Sequence, residues 1–86
     1  MPELLPRWLM KRYLVVWKVK EDKEFTFEEV SEILNDDARI ISLFLSDLKK
    51  KGWLEVRIHP EDSRKRLYKL KDHTLVLKEI AEKVNA

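Results

Sequence analysis

Gly52 is the only glycine in the 86 residues, and the spacing of apolar residues changes on either side of it. Before it, Ala38, Ile41, Leu45 and Leu48 recur at intervals of three, four and three, the stripe of a helix with one buried face. After it, residues 53–59 run Trp, Leu, Glu, Val, Arg, Ile, His, so Leu54, Val56 and Ile58 take one side of a strand and Glu55, Arg57 and His59 the other. A residue without a Cβ adopts the left-handed conformation that ends a helix at little cost. Gly52 therefore predicts a helix stop followed at once by a strand. Lys49, Lys50 and Lys51 precede the stop, where cations suit the negative end of the helix dipole. Pro60-Glu61-Asp62-Ser63 has turn composition, and residues 64–70 return as a second strand with Leu67, Tyr68 and Leu70 as its apolar positions.

The flanking sequence supplies a scaffold for this stretch. Residues 3–20 are predicted as a first helix with Pro6 near its first turn, where a missing N–H costs nothing. Its apolar residues exceed one stripe, so it is either wrapped on two sides or in contact with a second copy. Residues 24–26 can form a short strand, and Thr26 with Glu29 has the spacing of a capping box at the start of a second helix, residues 27–34. Val30, Ile33 and Leu34 are expected inward, with Glu28, Glu29 and Glu32 in solvent. Asn35-Asp36-Asp37 favours both a turn and an N-cap, which makes the second and third helices a helix-turn-helix. A last helix is expected from near Asp72, with Leu77, Ile80, Ala81 and Val84 on its buried face. The fold class is α+β, mostly α: a three-helix core, a two-stranded wing hairpin with a short third strand, and a C-terminal helix, in one domain over residues 1–86.

A chain of this length buries only about 60% of its unfolded surface, so its core is thin. No apolar run is long enough to cross a bilayer, the N-terminal apolar patch is broken by Lys11 and Arg12, and no cleavage pattern follows it. A cytoplasmic protein without a membrane role is expected. The absence of cysteine excludes disulfides and thiolate metal sites, and the abundance of Lys and Glu resembles thermophilic usage. His59 and His73 lack a third ligand, and no glycine-rich phosphate loop or nucleophile–base arrangement stands out, so no metal, cofactor or enzymatic activity is expected. Trp8, Trp17 and Trp53 lie in apolar neighbourhoods and are expected as core or interface anchors. The net charge of +2 hides an uneven distribution. Residues 1–20 carry five basic and one acidic side chain, residues 21–37 one basic and eight acidic, and residues 47–71 nine basic and four acidic. Basic charge thus gathers at the start and around the hairpin, and acidic charge around the second helix.

The element order, the run Leu45-x-x-Leu48-x-x-x-Gly52-Trp53-Leu54 and the basic hairpin together resemble the winged helix-turn-helix regulators. Within the hairpin, Asp62 and Arg64 match the Asp-x-Arg wing of the MarR family. The resemblance implies binding to double-stranded DNA as a transcription regulator, with the Asp orienting the Arg toward the minor groove or its phosphates. On this reading the third helix enters the major groove, where Arg39 can fork to guanine and Ser42 can contact base edges less selectively. Arg64, Lys65, Arg66, Lys49 and Lys50 are candidates for phosphates, with Arg7, Lys11 and Arg12 joining them if the first helix lies close to the backbone. A homodimer through the first and last helices would set two third helices roughly 34 Å apart. The outward face of the third helix also holds Ile40, Leu43 and Asp47, with Phe44 at its border. Asp47 repels phosphate, and Ile40 and Leu43 either pack on the first helix or contact thymine methyls, or else, with Phe44, they suit a second reading, a protein partner docked on an apolar patch.

Overall fold

The periodicities resolve into four helices and one hairpin. A computed structural model describes residues 2–84, with α1 (Arg7–Lys20), α2 (Phe27–Leu34), α3 (Ala38–Lys50), β1 (Leu54–His59), β2 (Asp62–Leu70) and α4 (His73–Val84) in order. The capping box forms as the sequence predicts. Glu29 N–H donates to Thr26 Oγ1 at 3.2 Å and Thr26 N–H to Glu29 Oε1 at 3.0 Å. Asn35 ends α2 in the left-handed region (φ 53°), and Asp37 opens α3 by accepting from Ile40 N–H at 3.0 Å. The two helices are joined as a helix-turn-helix.

Residues 3–6, expected in the first helix, are not helical. Pro6 disfavours helical geometry in the residue before it, and the segment finds its partners at the α3–β1 junction instead. Glu3 N–H donates to Lys51 O at 3.0 Å, and the Trp53 indole N–H donates to Glu3 O at 2.6 Å. Gly52 sits at φ +82° with Pro2 pressed on it, so that a Cβ would stand 3.1 Å from Pro2 Cα. Both the helix stop and the N-terminal strap therefore require a glycine at this position.

Among the described residues every buried side chain belongs to one apolar cluster built from α1, Phe25, Val30, α3, Trp53, the base of the hairpin and Val76 of α4. Tyr13 is its hub, stacked on Trp17 at 6.0 Å and edge-on to Trp53 at 5.2 Å, with its hydroxyl donating to Lys71 O. Two predicted faces are corrected. On α3 the buried set is Ile41, Phe44, Leu45 and Leu48, while Ala38 is exposed. At the first residue of the helix a one-carbon side chain reaches no core partner, and Phe44 joins the buried set. On α4 the inward residues are Val76 and Ile80, leaving Leu77, Ala81 and Val84 exposed. The phase is set where that helix starts: Asp72 Oδ1 accepts from Thr74 N–H at 2.8 Å, and the His73 ring stands edge-on to Trp17 at 5.2 Å.

The hairpin pairs antiparallel, Leu54 with Leu70, Val56 with Tyr68 and Ile58 with Arg66. Next, His59 pairs with Asp62, which leaves Ser63, Arg64 and Lys65 without partners on β1. The short third strand shrinks to one bridge, Phe25 with Tyr68, closed by hydrogen bonds of 2.8 and 2.9 Å. Ile58, expected inward, is exposed because the hairpin outruns the core. Among the described residues no helix is long and apolar enough to cross a membrane.

Candidate nucleic-acid interface

With Ile41, Phe44, Leu45 and Leu48 turned to the core, helical geometry leaves Arg39, Leu43, Ser46 and Lys50 on the opposite line, at spacings of four, three and four. All four are exposed, whereas Ile40 and Asp47 on the flank are half-buried. Phe44, placed at the border of this face by sequence reasoning, is fully buried. The apolar patch proposed for a partner protein therefore loses its largest member and reduces to Leu43 beside a half-buried Ile40.

The other flank of α3 faces the hairpin. Ser42, Ser46 and Lys49 line an open cleft of about 280 Å³ with Phe27 at the start of α2 and with Val56, Arg66 and Tyr68 of the hairpin. The fold thus brings three of the predicted contact residues, Ser42, Lys49 and Arg66, to one groove. Sequence reasoning passed over Phe27 and Tyr68, whose apolar signal does not say that they line a groove. Burial, opposed by Arg66 and reinforced by Glu28, holds the Tyr68 phenol above its ordinary value. A smaller cleft of about 210 Å³ lies between the start of α2 and Arg64, Lys65 and Arg66, and it includes Glu28. Nothing in the linear sequence announces that this carboxylate sits beside the wing.

At the wing tip Asp62 Oδ1 accepts from Arg64 N–H at 3.0 Å and lies 3.7 Å from Arg64 Nε. The carboxylate thus fixes the turn and gives the guanidinium a direction, while the Arg64 side chain stays 93% exposed. His59 serves the same turn, its Nδ1 accepting from Glu61 N–H at 3.1 Å. Among the described residues Arg39, Lys49, Lys50, Lys65 and Arg66 form no ion pair.

Other cations are committed inside the fold. Lys20 pairs with Glu29, Lys51 with Glu3 and Arg57 with Glu24. The Lys20 ammonium and the Thr26 N–H hold the Glu29 carboxyl below the usual range, and Arg57 does the same for Glu24. Arg12, a conditional phosphate candidate, is spent in the same way. It donates to Asp36 Oδ2 at 3.0 Å and to Trp8 O at 3.2 Å, with its guanidinium over the Trp8 ring. It braces the helix-turn-helix turn against α1. Arg7 and Lys11 remain exposed on α1, outside the α3–wing clefts.

No family model and no curated protein matches the sequence. Solved structures do match in fold. A MarR mutant from E. coli complexed with operator DNA superposes with a TM-score of 0.67 at 22% identity, over 87% of this chain and 52% of that one. A structure of the multiple antibiotic resistance repressor MarR gives 0.61 at 24% identity, over 86% of this chain and 60% of that one. The PcaV transcriptional regulator from Streptomyces coelicolor, in complex with its natural ligand, gives 0.59 at 21% identity, over 96% of this chain and 57% of that one. The chain has the winged-helix fold of MarR-like regulators and spans just over half the length of these structures.

Proposed function

We propose that this winged helix binds double-stranded DNA as a transcription regulator, with α3 in the major groove and the wing against the backbone or minor groove. One observation carries the reading. Ser42, Ser46 and Lys49 of α3 line one open cleft with Arg66 of the wing, Arg66 also borders a second with Arg64 and Lys65, and Lys49, Lys65 and Arg66 form no ion pair among the described residues. A helix fits the major groove, about 12 Å wide, and cations beside it meet phosphates and release counterions. Arg39 at the start of α3 has the fork that matches a guanine edge, and Ser42 adds a less selective contact. Arg64, beside Asp62 and 93% exposed, is the residue for the minor groove or its phosphates. The MarR neighbour complexed with operator DNA lends DNA binding support by likeness of fold.

The protein acts in this proposal as a homodimer through α1 and α4. Leu14, Val15 and Val19 on α1 and Leu75, Leu77 and Val84 on α4 are exposed large apolar residues, more than solvated helices of this size require. Two-fold symmetry would set the third helices about 34 Å apart and favour an inverted repeat. Selection from a random duplex library at low salt tests the function. Enrichment of one inverted repeat supports it, and no retention of any duplex contradicts it. Light scattering tests the assembly: a dimer mass is expected, and a monomer at micromolar concentration rejects the symmetric arrangement.

A further inference from the structure

The exposed stripe of α3 has an apolar residue at its centre. Leu43 is 48% exposed, between Arg39 and Ser46 along the helix and with Ser42 beside it. Its outward half adds nothing to the core, which Ile41, Phe44, Leu45 and Leu48 already fill. We infer that Leu43 recognises a thymine through its 5-methyl group, an inference that rests on the DNA-binding function proposed above. The thymine methyl is the apolar group that base pairs present in the major groove. An isobutyl side chain pressed on the amino, carbonyl or ring-nitrogen groups of the other edges removes their water without replacing a hydrogen bond, and against the C5–H of cytosine it loses the methyl contact. Leu43 therefore selects in two ways: contact with the methyl is favourable, and contact with the polar groups of guanine, cytosine or adenine at that position is costly.

The surroundings decide against a neutral apolar partner. Arg39 and Lys50 share the stripe, Lys49 and Arg66 lie along the adjoining cleft, and none of these cations is ion-paired among the described residues. Along the helix Leu43 has Arg39 four residues before it and the half-buried Asp47 four after it, and an exposed apolar group on a face whose remaining charges are basic fits a polyanion that carries an apolar group, the chemistry of duplex DNA with thymine in its groove. Arg39 precedes Leu43 by four residues, about 6 Å along the helix axis. That separation keeps the two side chains within reach of one half-site.

The test uses the full chain and a duplex enriched from a random library, with each thymine replaced in turn by deoxyuridine, which removes only the methyl. Affinity for the wild-type protein should fall about fourfold at one position in each half-site, the effect of one buried methyl group. The same replacement should leave the affinity of Leu43→Ala unchanged. Because Leu43 contributes little to the core, this variant should melt with the wild type, and the deoxyuridine series on wild-type protein stands without it. Retention of a duplex with no methyl-dependent position, or a methyl dependence that survives in Leu43→Ala, overturns the inference and leaves DNA binding intact. If no duplex is retained, the proposed function falls and the inference falls with it.

Discussion

Arg64 in the wing is 93% exposed and, among the described residues, steadied only by Asp62, whereas Leu43 and Arg39 stand on a helix whose far side is fixed by Ile41, Phe44, Leu45 and Leu48. The two regions lie side by side but suit different tasks. Phosphates recur along every duplex and accept cations over a range of positions, so a loosely held basic tip serves affinity. Base edges demand placement, and a helix whose inner face is locked into a core supplies it. The difference teaches that affinity and selectivity can be separated by mutation in this small domain, with the wing governing the salt dependence and α3 the sequence preference.

The largest effect should come from loosening the helix that carries the reading face. Phe44→Ala removes a fully buried ring and should cost about 3–5 kcal/mol, seen in urea denaturation as a lower midpoint. If instead stability is retained, α3 is not held as described. Next, replacing Arg64, Lys65 and Arg66 together with alanine should leave stability within about 0.5 kcal/mol. The same change should flatten the slope of log affinity against log salt by about 2–3, near 0.9 for each lost phosphate contact. An unchanged slope would remove the wing from the interface. Arg39→Ala should then cost about 1–3 kcal/mol on the preferred duplex and relax the preference at one base pair, with little change in salt slope; equal loss on all sequences would make Arg39 a phosphate contact.

A control outside both regions has the smallest effect. Tyr13→Phe deletes the hydroxyl that donates to Lys71 O and should cost about 1 kcal/mol. Burial, and then the Asp72 charge, push the Tyr13 phenol above its ordinary value. Since the folded value is raised, its contribution is fully present below the unfolded value near 10 and is lost as pH rises above it. Tyr13→Phe should therefore blunt alkaline unfolding while leaving the salt slope and base preference of DNA binding alone.

Local chemistry was legible in the sequence where one or two residues decide the geometry. Thr26 with Glu29, Asp37 and Gly52 set helix ends through their own side chains or the lack of one, and α2 begins and ends where the pattern puts it. Faces were harder, because a helix with surplus apolar residues offers several phases of nearly equal merit. On α4 the choice fell to His73 packing on Trp17, a contact that depends on where α1 lies. Phe44 turned inward for a similar reason, since its burial is decided by the shared core cluster and not by α3 alone. The basic wing was visible as composition, but its cleft with Ser42 and Lys49, the proximity of Glu28 and the commitment of Arg12 to Asp36 are products of tertiary placement.

The central claim is that α3 and the wing form one DNA-binding face. Amide chemical-shift mapping of the isotope-labelled protein, titrated with a selected duplex, tests it most directly. The account predicts that the largest perturbations fall on residues 39–50 and 62–66, with α4 responding little. Perturbations concentrated on α1 and α4, with α3 and the wing unmoved, would contradict it.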